Sequence, residues 1–306
     1  MNRPSVLCVV GATGTGKTAA ALALAEALHG AVINVDSRQV YAHIPIVTAQ
    51  PTAEEQARCP HLLYGYLPLD EPVQAGSFAR QLADTVEKVR AMGRLPILVG
   101  GTGLYLRAFL HGIAPVPPIP EAVRAAVLAR CRAYGPEALH CRLAEVDPVS
   151  AARIHPRDSQ RICRALEVFD ATGEPLSLWH ARTRPVALVR GVVLGLAATL
   201  SELTPRLAQR IQAMLAAGAL EEMAQAWRIC PNRSAPGFSG IGCPELLAVL
   251  HGEMDLATAQ AAWLANTRAY AKRQMTWFRK EKVHWVAPTD HARMVEWARR
   301  ALEKRE

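Results

Sequence analysis

The sequence predicts an α/β fold: a P-loop-containing parallel sheet flanked by helices, with an inserted all-helical domain. Three observations carry that expectation. The apolar run Val6 to Val10 leads into Gly11-Ala12-Thr13-Gly14-Thr15-Gly16-Lys17-Thr18 and then into an alanine-rich segment, Ala19 to Leu28. That is the strand, glycine turn and helix of the phosphate-loop pattern GxxxxGK[ST]. Two more runs, Ala31 to Val35 and Leu95 to Val99, read as buried strands ending in polar or glycine-rich turns, as strands of an open parallel sheet do at their ligand-binding edge. From the stiff stretch Ala114-Pro115-Val116-Pro117-Pro118-Ile119-Pro120 onward the pattern turns purely helical until a strand-like run at Val186 to Leu196. The expected division is a core of residues 1–116 and 187–306, with 117–186 as a helical insertion.

In the phosphate loop the glycines admit backbone amides to an anion, and the helix N-terminus adds partial positive charge. Lys17 supplies a full charge, and Thr18 can hold Mg²⁺. A polyphosphate is expected; which one, the loop does not specify. Asp36, just beyond the second strand, is placed beside this loop. It can bind Mg²⁺ through water or take a proton from a nucleophile; the bland reading is a cap on the next turn. Residues 42–76 are broken by five prolines and read as irregular. Ser77 suits the cap of a helix reaching Met92, with Phe78, Leu82, Val86 and Val89 on one face. The third strand enters Gly100-Gly101-Thr102-Gly103, a second set of amides for an anion. It ends without the metal-binding Asp of ordinary phosphate-loop ATPases, which counts against a generic nucleotide hydrolase.

The insertion reads as helices at 121–134, 136–145, 148–154 and 159–171, the last capped by Asp158 and stopped by Gly173. Ile162, Ala165, Leu166 and Phe169 share its apolar face, with Gln160, Arg161 and Arg164 off it. That basic edge is either a phosphate contact or a solvated surface. After the return strand comes a helix from Thr204 carrying Arg206 and Arg210 one turn apart. A tight loop, Ser239 to Cys243, precedes another helix. A long helix from Leu256 carries Trp263, Tyr270 and Trp277 on one stripe, a spacing more typical of core packing than of base stacking. An amphipathic helix follows Asp290.

Composition narrows the class. The 306 residues are half hydrophobic, and the formal charge of +8 favours a polyanionic partner, nucleic acid before membrane. Seven scattered cysteines without a CxxC pair suggest neither a disulfide framework nor a zinc site. A reduced cytoplasmic setting is expected, with no membrane span.

Taken together, GATGTGKT, DSRQVY, PILVGGTGLYLRA, DSQRICRALEV and TRAYAKRQMTWFR occur in order across residues 11–279. In these stretches the sequence resembles the tRNA dimethylallyltransferases, which prenylate the adenosine beside the anticodon, position 37. The resemblance implies that Gly11 to Thr18 hold the diphosphate of dimethylallyl diphosphate, with Mg²⁺ on Thr18. It implies that Lys17 and Arg210 neutralise the leaving group, that Asp36 deprotonates the adenine amine and that Thr102 orients the base or the diphosphate. The tRNA anticodon stem-loop would be contacted by Asp36, Ser37, Arg38, Gln39, Thr102, Arg124, Gln160, Arg161, Ile162, Cys163 and Arg164, the insertion acting as a movable clamp. No protein partner is evident, and a monomer is expected.

Departures from the family pattern fall at Cys243, where an aromatic residue is usual, at Gln50, where a lysine is usual, and at Pro60 to Gly65. They put anticodon-loop affinity in question, the residue 243 loop being read as facing RNA. The nearest rival is an isopentenyltransferase acting on free adenine nucleotides, which the arginine-bearing insertion disfavours. A small-molecule kinase would need a lid motif that is not evident, and a GTPase switch an Asn-Lys-x-Asp motif that is not seen.

Overall fold

The computed structural model describes residues 5–112, 114, 116–182 and 189–303. The chain divides into two compact units, Met1–His111 with Ala187–Glu306, and Gly112–Val186.

The first unit is built on β1 (Ser5–Gly11), β2 (Gly30–Asn34), β3 (His61–Leu62), β4 (Leu95–Gly100), β5 (Arg190–Leu196) and β6 (His284–Val286). They form one parallel sheet in the order β3-β2-β4-β1-β5-β6. Strands that follow β1 up to β4 lie on one side of it, and later strands on the other, so a cleft opens at the carboxyl end of β1. The pleat sorts the apolar run of β1 between two cores. Val6, Cys8 and Val10 join one cluster and Leu7 and Val9 the other. Burial on both faces is why this strand is continuously apolar instead of alternating.

Helices α1 (Lys17–Ala27) and α14 (His291–Glu303) cover the Leu7/Val9 face. Alanines on α1 let it lie close: a Cβ on Gly30 would sit 2.5 Å from Ile97 and 3.2 Å from the backbone of Ala25. The opposite face takes α4 (Ala75–Ala91), α5 (Gly103–His111), α11 (Ala219–Ile229), α12 (Cys243–Leu250) and α13 (Leu256–Phe278). The expected face of α4, Phe78, Leu82, Val86 and Val89, is buried there. This helix begins at Ala75, however, and the Ser77 hydroxyl bonds the Gln74 carbonyl from inside the first turn instead of capping it. The stretch read as irregular contains two short helices, α2 (Pro45–Thr48) and α3 (Ala53–Arg58). Helix α10 (Leu200–Ala216) starts before the expected Thr204, because Thr199 and Glu202 form a reciprocal capping box and Pro205 is tolerated inside. The short strands β3 and β6 were not foreseen. The expected return strand is described from Arg190; residues 186–188 lie outside the described residues.

The second unit holds α6 (Glu121–Val146), α7 (Pro148–Ala151), α8 (Ser159–Thr172) and α9 (Leu176–Arg182). Non-helical Gly135, φ 80 and ψ 164, followed by Pro136 divides α6 into the two expected segments. Asp158 caps α8 and left-handed Gly173 ends it. Val127, Leu139, Leu143, Ile162 and Leu166 centre a separate core. Beside it Asp147, 1% exposed, accepts from the Ser150 amide and hydroxyl and from the Ser177 amide. Burial pushes this carboxyl up, but those hydrogen bonds outweigh it and hold it below its ordinary value. The stabilisation is therefore complete above that ordinary value, near pH 4, and disappears as pH falls through the depressed one. Asp147→Ala should lower stability in urea denaturation by about 1–3 kcal/mol at pH 7, and the gap from the unsubstituted chain should narrow in acid.

Candidate active site

Gly14 and Gly16 turn the loop after β1 through left-handed backbone, φ 83 and 85, which a side chain would strain. The loop is tied internally before any ligand arrives. The Thr15 hydroxyl donates to the Ala12 carbonyl at 2.8 Å, and the Thr15 amide reaches the same oxygen at 3.3 Å. The Thr13 amide donates to Gln274 Oε1. Of the expected diphosphate cradle, Thr13 and Thr15 thus have their amides engaged, and the Thr15 side chain is turned inward. The amides of Gly14, Gly16, Lys17 and Thr18 have no protein acceptor among the described residues. Nor does the Thr18 hydroxyl. These donors, clustered at the start of α1, suit an anion.

Lys17 folds back over the loop, its Nζ donating to the carbonyls of Gly11 at 3.1 Å and Ala12 at 2.9 Å. Burial lowers its ammonium to about 8, with Asp36 opposing and Arg210 reinforcing the shift. Arg210 lies on α10, which packs on the loop through Leu207; a Cβ on Gly14 would meet Leu207 at 2.8 Å. Burial lowers Arg210 too, against the pull of Asp36 and Glu55. One carboxylate and two desolvated cations therefore share a single field.

Asp36 is held by Asn34, fully buried at the tip of β2 and overlooked in the sequence. Asn34 Oδ1 accepts from the Asp36 amide at 2.7 Å, while its Nδ2 donates to the carbonyls of Asp36 and Leu63. Asp36 Oδ1 accepts the Arg38 amide at 2.9 Å. One oxygen thus closes the turn, as the capping reading has it, and Oδ2 takes no protein hydrogen bond among the described residues.

The second glycine turn owes its composition to crowding. A Cβ on Gly100 would lie 2.4 Å from the Val35 backbone, on Gly101 1.9 Å from Gln274 Nε2, and on Gly103 2.1 Å from Trp277 Nε1. Thr102 Oγ1 accepts from the Ser37 amide at 3.2 Å; the nearby Tyr270 phenol is pushed up to about 12 by burial and then the Asp36 charge, against the influence of Thr102. Tyr270 carries Arg273 above its ring. It thus stands near Thr102 and Asp36 and was missed, because its stripe on α13 read as core. Trp263, on the same stripe, is core.

Residues 39–281 match the family model for IPP transferase. The chain is 56% identical to the tRNA dimethylallyltransferase of Oleidesulfovibrio alaskensis over 94% of its length and 95% of the relative's. It is 54% identical to that of Nitratidesulfovibrio vulgaris over 94% and 93%. The chain belongs to the IPP transferase family. Its fold is similar to the full-length tRNA isopentenylpyrophosphate transferase of Bacillus halodurans, with a TM-score of 0.73 at 33% identity over 99% and 98% of the two chains. A eukaryotic dimethylallyltransferase solved acting on tRNA matches with a TM-score of 0.80 at 27% identity, over 94% of this chain and 75% of that one. Membership makes the chain a transferase of the prenyl class.

The remaining residues expected from the family pattern are placed unevenly. Arg38 Nη1 donates to the Pro236 carbonyl at 3.1 Å and to the Ser239 hydroxyl, and Gln39 Nε2 to the carbonyls of Thr48 and Ala49. Both side chains fasten loops. In the helical unit Gln160 and Arg161 are exposed and Arg164 half-exposed, whereas Ile162 and Cys163 are buried. Their side chains belong to the unit's core, following the helical period, so of this expected tRNA-binding run only Gln160, Arg161 and Arg164 present side chains to solvent. Arg124, Arg161 and Arg164 pair with Glu121, Asp158 and Glu167. Cys243 is 0% exposed, its side chain turned from the loop into the core of the first unit. Gln50 donates inward to the Tyr41 carbonyl and the Thr48 hydroxyl. Among the described residues no helix is long and apolar enough to cross a membrane.

The depressed ammonium of Lys17 gives a pH signature. Below about 8 it is charged and attracts an anion; above, the free protein loses that charge. Affinity for inorganic pyrophosphate, measured by calorimetry, should hold steady below pH 8 and fall above it. Lys17→Met should remove the fall and weaken binding at pH 7 by about 10- to 150-fold, the worth of one charged hydrogen bond.

Proposed function

We propose that the chain transfers a dimethylallyl group from dimethylallyl diphosphate to the exocyclic amine of adenosine 37 in tRNA, releasing diphosphate. The observation that carries this reading is the shared field of Lys17, Arg210 and Asp36. It sets an anion cradle at the tip of β1 and a carboxylate with one free oxygen at the tip of β2, with only β4 between them, in a chain of the IPP transferase family.

In the reaction the allylic carbon–oxygen bond breaks and its electron pair leaves with the diphosphate. The amine nitrogen forms the new carbon–nitrogen bond, and its proton passes to Asp36 Oδ2. The loop amides, Lys17 and Arg210 stabilise charge growing on the leaving group. Because an aryl amine is a weak nucleophile, alignment by the Thr102 and Asp36 turns carries much of the acceleration. Target adenosine in a folded RNA has to leave its stack to reach this cleft.

Mg²⁺ fits the donor set. Three or more His, Cys, Asp or Glu side chains do not gather anywhere among the described residues. A magnesium ion carried by diphosphate oxygens and water needs only one or two protein ligands. Thr18 would hold it, with Asp36 through water, and it would supply further charge neutralisation at the diphosphate.

Arg124, Gln160, Arg161 and Arg164 are assigned to the tRNA backbone. Contacts of this kind position an RNA without reading its sequence.

Incubation with Mg²⁺, radiolabelled dimethylallyl diphosphate and either unmodified tRNA or AMP tests the assignment: label is expected in tRNA, and label in AMP alone would replace it with the free-nucleotide reaction. In the same assay Asp36→Asn should slow single-turnover transfer by about 10²- to 10⁴-fold while tRNA still binds; undiminished transfer removes Asp36 from proton abstraction. Arg161→Ala should weaken tRNA binding and reduce the salt slope by about one unit; an unchanged slope returns that arginine to solvent.

A further inference from the structure

Gln274 takes no part in the chemistry above, yet its amide joins both glycine-rich turns. It lies on α13, 4% exposed. Its Oε1 accepts from the Thr13 amide at 2.8 Å, and its Nε2 donates to the Gly101 carbonyl at 3.1 Å. The orientation is dictated by the partners, since one can only donate and the other only accept. Neither methionine nor a carboxylate can satisfy both.

The sheet alone does not set the spacing of these turns. Its ladder registers β1 against β4 as far as Val10 and Gly100. Beyond that point the two loops leave the sheet, and the Thr13 and Gly101 segments have Gln274 as a common partner. The surrounding residues are arranged to admit it. Gly101 lacks a side chain where a Cβ would come within 1.9 Å of Nε2. One turn earlier on the same helix, buried Ala271 packs with Ala12, Leu203 and Leu207 against the loop. Three residues later, Trp277 fills the space that a side chain on Gly103 would need.

We infer that Gln274 is a positioning residue that sets the separation between the turn gripping the diphosphate and the turn carrying Thr102, so that leaving group and adenine meet in register. The inference rests on the reading of the site given under Proposed function. Its direct content is that one side-chain amide couples two loops, and this can be measured without the reaction.

Two variants and a double variant test it. Gln274→Met keeps the volume and removes both hydrogen bonds. Gly101→Ala leaves Gln274 in place but drives its amide off the Gly101 carbonyl. With thermal melts confirming folded protein, each should lower the single-turnover rate of prenyl transfer to tRNA by about 100-fold, the effect of a displacement near 1 Å. The tRNA dissociation constant should stay within about twofold. Because both changes break one tie, the double variant should be no slower than the worse single. Hydrogen exchange without substrate should accelerate in Gln274→Met in the peptides covering both Thr13 and Gly101–Thr102. Unchanged exchange in either peptide, additive losses, or transfer rates within about threefold of the unsubstituted chain would overturn the inference. Failure of the unsubstituted chain to prenylate tRNA would instead overturn the functional reading, leaving exchange to decide the tie.

Discussion

Three adjacent parallel strands ending at one level force their outgoing turns into van der Waals contact, and the site depends on that crowding. The tips of β2, β4 and β1 lie side by side. A Cβ on Gly100 would come within 2.4 Å of the Val35 backbone, a distance that no rotamer change relieves. Glycine is therefore required by packing before any ligand is considered. The same closeness sets the Ser37 amide on Thr102 and brings Asp36 near the phosphate loop. The candidate site is thus a consequence of how a parallel sheet ends, lined by the few side chains that fit between the turns.

Electrostatics and burial are linked in this cleft. Lys17 and Arg210 are both desolvated, which disfavours their charged forms, and Asp36 offsets part of that cost for each. An incoming polyanion adds the compensation that the single carboxylate cannot. The site is poised for negative charge because the protein leaves its cations underpaired. One Asp36 oxygen is anchored by the Arg38 amide, and among the described residues the carboxylate forms no ion pair with either cation.

The helical unit follows a different logic. Arg130 and Arg142 of α6 reach Asp170 of α8, whereas Arg161 and Arg164 pair with carboxylates one turn away, Asp158 and Glu167. Exposed pairs of this kind contribute only about 0–1 kcal/mol, so they are readily exchanged for phosphate. What stays fixed is the core beneath them, Ile162 and Leu166 against Val127 and Leu143.

Local pattern was enough for much of this. The run from Val6 to Val10, the glycines of the phosphate loop and the Asp158 and Gly173 boundaries of α8 act through neighbours within a few residues, so the sequence displays them directly. The capping box of Thr199 and Glu202 was equally local and could have placed the start of α10. Arg210 was reachable only through family resemblance, because nothing in its own helix distinguishes it from Arg206.

By itself, the sequence determined the four longer strands, the anion loop, the strand-end carboxylate and the amphipathic helices, since each depends on periodicity or on turn residues close together in the chain. Only the tertiary structure decided that Asn34 grips Asp36 through side-chain bonds to a loop beyond β3, that Tyr270 borders the site, that Cys243 is core and that Gln274 bridges two turns. These assignments join residues as far as 261 positions apart. A side chain's partners at that range are set by how the chain packs, and neither composition nor spacing records them.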